Sequence, residues 1–148
     1  MTIVIGANFG YCVLAAVGIS VQCFLEGVAV TMARKKFNVP YPDNGGGRFA
    51  DKLTDKDWVA FNNVKRVSDN YSESAGMVLS MLFCAGLFQP LLAATFGGLF
   101  IAGRFIYGMG YKTWGPKGRM LGAPISSLSF FALIAIAGYN AAITTVFA

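Results

Sequence analysis

The 148-residue sequence contains no histidine. This absence excludes every mechanism that needs an imidazole base, a histidine metal ligand or a Ser-His-Asp triad. Cysteine is scarce as well, and the three cysteines are widely spaced inside apolar runs, where we interpret them as small buried residues rather than as a disulfide or zinc framework. They are Cys12, Cys23 and Cys84. No metal site is therefore expected.

Charged residues are the next deficit, at 13% of the chain, against about 25% in an ordinary soluble domain. With 55% hydrophobic residues, the sequence is too apolar for a globule whose surface is wetted by water. The net charge of +5 could suggest nucleic acid, but the basic residues fall in short segments between hydrophobic stretches, as positive-inside topology produces. We predict an integral membrane protein with membrane lipids, and not nucleic acid, as its partner.

Four apolar runs are long enough for helices that cross the hydrocarbon core, which takes about 20 residues. They are predicted at about residues 3–33, 58–88, 91–112 and 118–146. Prolines and glycines make residues 34–57 a polar loop, and Gln89-Pro90 is a short uncharged break that joins two helices as an antiparallel hairpin. The predicted fold class is all-α: one membrane domain over residues 1–148, built as a four-transmembrane-helix bundle.

The basic segments follow the first and the third predicted spans. Because an even number of spans, two, separates them, they lie on one face of the membrane. Positive charge in the connecting segments is typical of the cytosolic face, or of the matrix face in a mitochondrion. The Gln89-Pro90 turn carries no charge and is expected on the opposite face.

A polar stripe on the second helix is the first candidate site. Arg66, Asn70 and Glu73 are spaced i, i+4 and i+7, so they project at nearly the same angle. A charge at the centre of a transmembrane helix costs about 2.5–3.5 kcal/mol, so this stripe should face protein or a water-filled cavity. A guanidinium, an amide and a carboxylate suit a zwitterionic ligand. The alternative is a polar clamp between helices that binds no ligand.

A second stripe lies on the third helix. Arg104, Tyr107 and Tyr111 are spaced i, i+3 and i+7, near the same membrane surface as the first stripe. The alternative interpretation is an aromatic belt with an arginine that extends to the interface. The four arginines that could surround an anionic ligand at this interface are Arg34, Arg66, Arg104 and Arg119.

Three motifs occur in order along the chain. They are Ala-Arg-Lys-Lys-Phe-Asn-Val at 33–39, R-x-x-x-N-x-x-E from 66 to 73, and Gly-Arg-Phe-Ile-Tyr-Gly-Met-Gly-Tyr at 103–111. With them, this four-span sequence resembles the MAPEG family, the membrane-associated proteins of eicosanoid and glutathione metabolism. The resemblance implies a homotrimer with active sites between neighbouring protomers near the cytosolic face, where glutathione binds as co-substrate in a bent shape.

The resemblance also implies roles for individual residues. Those that match glutathione-binding positions are Arg34, Arg66, Asn70, Glu73, Tyr107 and Tyr111. Arg119, at the expected start of the fourth helix, would be the catalytic residue that stabilises the glutathione thiolate. Lys35, which stands where one member has a second arginine, and Arg104 are accessory candidates. Ser74 stands where some members have a tyrosine, so one aromatic contact to glutathione is missing.

The implied activity is glutathione-dependent transfer to hydrophobic, lipid-derived electrophiles, or peroxidase reduction of lipid hydroperoxides. The alternative is a non-catalytic member that binds lipid or serves as a scaffold subunit of a larger membrane complex. Glu26 would then mark a partner contact, unless it forms a salt bridge or water contact inside the trimer. We expect the endoplasmic reticulum membrane, with a mitochondrial membrane as the alternative.

Overall fold

Four long helices make up most of the described chain. The computed structural model describes residues 5, 6 and 8–146. The helices are α1 (Phe9–Phe37), α2 (Asp55–Phe88), α3 (Pro90–Trp114) and α4 (Gly122–Val146), and each contains a stretch long and apolar enough to cross a membrane. The predicted all-α bundle of four membrane helices is confirmed. The predicted start of the first helix, at residue 3, lies outside the described residues.

Side-chain contacts fix the direction of the helices. Cys12 near the start of α1 donates to the carbonyl oxygen of Pro90 at the start of α3, while Glu26 in α1 pairs with Lys112 near the end of α3. These two helices are therefore parallel, and α2 and α4 run the opposite way. The loop 38–54 and the connection between α3 and α4 consequently emerge at one end of the bundle, which we call the basic end.

The core at mid-bundle joins all four helices around one buried tyrosine. Tyr71 of α2 packs edge-on against Phe100 of α3, with ring centroids 6.1 Å apart. Its hydroxyl lies 2.8 Å from Gln22 Oε1 of α1, and Gln22 Nε2 donates to the carbonyl oxygen of Ile101 in α3. Leu133 of α4 is fully buried in the same cluster. This polar network within an apolar core fixes the register of α1, α2 and α3.

The first helix extends to Phe37, beyond its predicted end at residue 33. Its last turn carries Arg34, Lys35 and Lys36, and cations there interact favourably with the negative end of the helix dipole. Asn38 then adopts the left-handed conformation, with φ of 53°, and ends the helix. The basic run was predicted to lie in the loop, whereas it belongs to the helix that it stabilises.

The fourth helix begins later than predicted. Residues Gly115–Met120 form a short 3-10 helix, and α4 starts at Gly122 rather than at 118. The chain reverses tightly there, since the backbones of Gly110 and Gly118 touch and a Cβ on either would overlap the other. Gly115 has φ of +67°, which a side chain rarely tolerates.

The crossing of α3 and α4 depends on a buried glycine. A Cβ at Gly103 would lie 2.6 Å from the backbone nitrogen of Ser126 and 3.1 Å from Ile125 Cβ. Neither neighbour is the end of a flexible side chain, so the helices would have to separate to admit a methyl group. The small residue therefore sets how closely α3 and α4 approach.

We expect Gly103→Ala to destabilise the protein by about 1–3 kcal/mol, the usual cost of overpacking. Thermal unfolding of the detergent-purified variant measures this. Gly98→Ala is the matched control, because it lies in the same helix with nothing within 4 Å of its added methyl group, and it should gain slightly from helix propensity. Equal melting temperatures for the two variants would contradict the close crossing.

Candidate functional site

The stripe on α2 lies partly on the outer surface of the chain. The side chains of Arg66 and Glu73 are exposed, and that of Asn70 is partly buried between them. Across residues 8–146, neither charged side chain forms an ion pair or hydrogen bond, so the two do not pair with each other. Within the chain, the polar-clamp interpretation therefore holds for Asn70 alone, which bonds to α3. The two charges remain available at the surface of a membrane-spanning helix.

Arg104 of α3 connects the two stripes. Its Nη1 donates to Asn70 Oδ1 at 2.7 Å, and its Nη2 donates to the carbonyl oxygen of Val67 at 3.4 Å. The guanidinium carbon lies 4.5 Å from the ring centroids of both Tyr71 and Tyr107, an arrangement that stabilises a cation between aromatic faces. Arg104 is only 5% exposed. The aromatic-belt interpretation requires the side chain to extend to the interface, but it is buried inside the bundle.

The two tyrosines of the α3 stripe are buried next to it. Tyr107 and Tyr111 have ring centroids 5.7 Å apart and form a small cluster with Val67 of α2 and Ala123 of α4. Because Val67 follows Arg66 directly, this cluster lies immediately behind the α2 stripe. The structure thus brings Asn70, Arg104 and Tyr107 together in one region, with Arg66 and Glu73 at its outer edge.

A cleft of about 170 Å³ opens beside this region, between α2, α3 and α4. Its polar lining consists of Asn70, Ser74, Arg104, Ser126 and Ser127. Its apolar lining consists of Met77, Val78, Phe100 and Phe130. The cleft is smaller than the roughly 300–1,000 Å³ of an ordinary ligand pocket, so one chain offers only part of such a pocket.

Serines of α4 and Tyr71 were missed by reasoning from the sequence. Ser126 and Ser127 lie at the cleft because they follow the first turn of α4, and Tyr71 lies under Arg104. Tyr71 directly follows Asn70 in the sequence, so a buried aromatic residue beside the stripe was the available signal. The serines gave no signal, because hydroxyl groups are frequent in membrane helices, where they bond their own backbone.

Arg34 lies in the last turn of α1, and its guanidinium contacts the loop at the basic end and not the α2 stripe. Its Nη1 donates to the carbonyl oxygens of Val39 and Asp43, at 3.2 Å and 2.5 Å, and its Nη2 donates to Asn44 Oδ1 at 3.2 Å. The guanidinium also lies 4.1 Å from the ring centroid of Tyr41. Within the chain, Arg34 therefore folds the loop that follows α1. Lys35, the next residue, is exposed.

Asp43 is the second organiser of this loop. Its Oδ1 accepts from the backbone N–H groups of Gly45 (2.8 Å) and Gly47 (3.0 Å), and its Oδ2 accepts from those of Phe49 and Ala50, both at 2.9 Å. Four donors favour the ionised form, so these bonds lower the pKa of the carboxyl group to about 2. The run of glycines after the aspartate was the missed sequence signal, because such residues form side-chain-to-backbone turns.

Asp43→Asn should loosen this loop, since the amide nitrogen would face two N–H donors and cannot accept from them. We expect faster limited proteolysis within residues 38–54 and a lower melting temperature. Asp51→Asn, at an exposed aspartate of the same segment, is the control and should leave both unchanged.

The same bonds predict a pH dependence. Because its pKa is lowered in the folded protein, ionised Asp43 contributes its full stabilisation at pH values above the ordinary aspartate pKa of about 3.8. This stabilisation is lost as the pH falls towards about 2. Wild type should therefore lose its advantage over Asp43→Asn between these values. A constant difference in melting temperature down to the lower value would contradict this role for Asp43.

Arg119 lies in the 3-10 helix Gly115–Met120 and not in α4, where it was predicted. Its side chain is exposed at the basic end, and within the described part of the chain it forms no ion pair. Glu26 behaves differently, because its Oε2 lies 2.5 Å from Lys112 Nζ. This ion pair between α1 and α3 accounts for the lone acid of the first helix without a partner protein.

A known protein family matches most of the sequence. The sequence pattern of the MAPEG family matches residues 12–139. The match covers most of the chain and includes every candidate site residue, from Arg34 to Arg119. The chain therefore belongs to the MAPEG family, a family of membrane proteins of eicosanoid and glutathione metabolism.

Proposed function

We propose that this protein is a glutathione-dependent transferase or peroxidase that acts on hydrophobic, lipid-derived electrophiles. The observation that carries the proposal is the α2 stripe, in which Arg66 and Glu73 are exposed and unpaired within residues 8–146, on either side of an amide held by Arg104. Charges of both signs on a membrane helix are costly unless something covers them. A zwitterionic ligand bound against the stripe would satisfy both.

The spacing of the stripe suits a short peptide. Arg66 and Glu73 are seven residues apart, which is about 10.5 Å along a helix. An arginine binds a carboxylate through two parallel hydrogen bonds, and a glutamate binds an ammonium group. In this arrangement Arg66 binds a carboxylate of glutathione and Glu73 binds its amino group. Tyr107 and Tyr111 form the wall behind the peptide.

The rest of the pocket would come from a second copy of the chain. The cleft beside Asn70 holds about 170 Å³, which is too small for a tripeptide, and the exposed stripe needs a cover. A homotrimer provides both, with one site at each contact between neighbours. At that contact Arg34 shapes the loop of one copy, and the exposed Lys35 beside it reaches the ligand held by the next.

The chemistry follows from the thiol. The thiol group of free glutathione has the pKa of an ordinary thiol, near 8.5, and its thiolate is the nucleophile. Arg119 stabilises the thiolate, which attacks the electrophilic carbon of an activated double bond or an epoxide. The carbon–sulfur bond forms as the π bond or the carbon–oxygen bond breaks, and the resulting anion takes a proton from water. With a lipid hydroperoxide, the thiolate attacks the outer oxygen and releases the lipid alcohol after protonation. A second glutathione then converts the sulfenic acid to glutathione disulfide and water.

The membrane location fits hydrophobic substrates. These would enter the site laterally from the bilayer, while glutathione would enter from the aqueous phase at the basic end. We place the protein in the endoplasmic reticulum membrane, with the basic end in the cytosol, and retain a mitochondrial membrane as the alternative. Glu26 gives the non-catalytic scaffold function no separate support, because it pairs with Lys112 inside the chain.

Activity assays of the detergent-purified protein test this proposal. With glutathione and a hydrophobic electrophile we expect a thioether, and with a fatty-acid hydroperoxide we expect the alcohol and glutathione disulfide. A heat-inactivated sample gives the uncatalysed rates. A folded protein that accelerates neither reaction, and that migrates on native gels in a large complex with other proteins, would instead indicate the scaffold function.

A further inference from the structure

The orientation of the Asn70 amide group is fixed by its partner. Arginine has five N–H donors and no acceptor, so only the oxygen of an amide can face it. Because Arg104 Nη1 lies 2.7 Å from Asn70 Oδ1, the Nδ2 group of Asn70 points to the opposite side of the amide. Nδ2 forms no hydrogen bond to any of the described residues, so it is an unpartnered donor on the stripe between Arg66 and Glu73.

Arg104 itself has little freedom to turn. Its guanidinium lies between the rings of Tyr71 and Tyr107, and its Nη2 bonds to the Val67 carbonyl. The Tyr71 ring is in turn held by the bond between its hydroxyl and Gln22. A chain of contacts from α1 through α2 and α3 thus ends at the Asn70 amide.

This arrangement is costly to the fold. Arg104 is 5% exposed, its Nε is buried without a partner, and no carboxylate among the described residues pairs with it. A buried guanidinium in that state opposes folding, and an apolar side chain would avoid the cost. A role in ligand binding at the α2 stripe explains why this position has an arginine.

We propose that Arg104 is a positioning residue: it holds Asn70 so that the amide can only donate a hydrogen bond to the bound ligand. The inference rests on the proposed function, in which that ligand is glutathione. Asn70 then donates a hydrogen bond to an acceptor on the peptide, a carboxylate or carbonyl oxygen, and disfavours a group that can only donate. Arg104 acts through Asn70 and not on the thiol.

Two substitutions of Arg104 separate this role from packing. The ammonium group of Arg104→Lys is also a donor without an acceptor, so it still requires the Asn70 oxygen. The amide of Arg104→Gln offers both an oxygen and an NH₂ group, which lets Asn70 turn over. By calorimetric titration with glutathione, we expect Arg104→Gln to raise Kd about tenfold, the loss of one hydrogen bond. Arg104→Lys should stay within about threefold of wild type.

A third variant tests the donor directly. Asn70→Asp has nearly the same shape, and its carboxylate would pair with Arg104, so the protein should melt no lower than wild type. It has no NH₂ group, and it places a negative charge beside the ligand's acceptor. We expect its affinity for glutathione to fall by more than that of Arg104→Gln. This variant keeps the inference testable if Arg104→Gln fails to fold.

Steady-state kinetics give a readout that packing alone would not change. A positioning role raises the KM for glutathione and leaves kcat and its pH profile as in wild type. The inference is overturned if Arg104→Gln binds like wild type, if Arg104→Lys loses as much as Arg104→Gln, or if kcat falls at constant KM. If wild type itself binds no glutathione, the proposed function fails and this inference fails with it.

Discussion

Replacement of Arg119 by alanine should raise the apparent pKa that governs turnover by about two pH units. In the proposed mechanism this arginine lowers the thiol pKa of bound glutathione, and a change of that size corresponds to about 2.7 kcal/mol. The thiolate would change from the major form at neutral pH to a few per cent. A more basic thiolate is intrinsically more nucleophilic, which returns part of the loss. At about pH 6 we therefore expect turnover to fall about tenfold, and at high pH to recover.

The pH dependence of kcat measures this change. Lys117→Ala is the matched control, because it removes an equal charge from the same exposed 3-10 helix. Its profile should coincide with that of wild type. An unchanged profile for Arg119→Ala would show that another group stabilises the thiolate, and a lower rate at every pH without a shift would indicate damage to the fold.

Replacement of Arg66 by alanine should raise the KM for glutathione at least about thirtyfold. The side chain has no ion pair or hydrogen bond within residues 8–146, so its removal costs the protein little. In the complex it would bind a carboxylate in a poorly hydrated site. Truncating one partner of such a pair costs about 2 kcal/mol or more, which is the stated change in affinity.

Arg48→Ala controls for net charge, because it removes an exposed arginine from the loop at the basic end. It should leave KM unchanged. Glu73→Gln should weaken binding in the same manner as Arg66→Ala, since it removes the proposed partner of the amino group. Unaltered KM values in both stripe variants would contradict the assignment of the α2 stripe to glutathione.

Hydropathy was sufficient to predict the four helices because a membrane span needs a long apolar run whatever its neighbours are. The hairpin at Gln89-Pro90 was equally easy to predict, since proline occupies the first turn of α3, where its missing N–H costs nothing. The helix boundaries at the basic end of the bundle were harder to predict. There, charged residues such as Lys36 continue a helix, and glycines such as Gly115 allow a 3-10 turn that has no hydropathy signal.

Spacing predicted the members of each stripe, because residues spaced i, i+3 or i+4, and i+7 share one face of any helix. It could not predict that Arg104 contacts Asn70, since a contact between two helices depends on their rotation and depth. That rotation depends on close packing of α3 against α2 at positions such as Gly97, where an added Cβ would lie 3.2 Å from Leu82 Cδ1. Nor could spacing predict that Arg34 turns into its own loop, where Asp43 and Asn44 meet it.

Calorimetric titration of the detergent-purified wild-type protein with glutathione tests whether the α2 stripe binds this peptide. We predict saturable binding of one glutathione per chain, because each contact between neighbouring copies would contain one stripe. The same titration of Arg66→Ala should show little heat at equal concentrations. A folded wild-type protein that binds no glutathione would contradict the assignment of the α2 stripe to glutathione, and would mean that the stripe serves contacts between chains without a ligand.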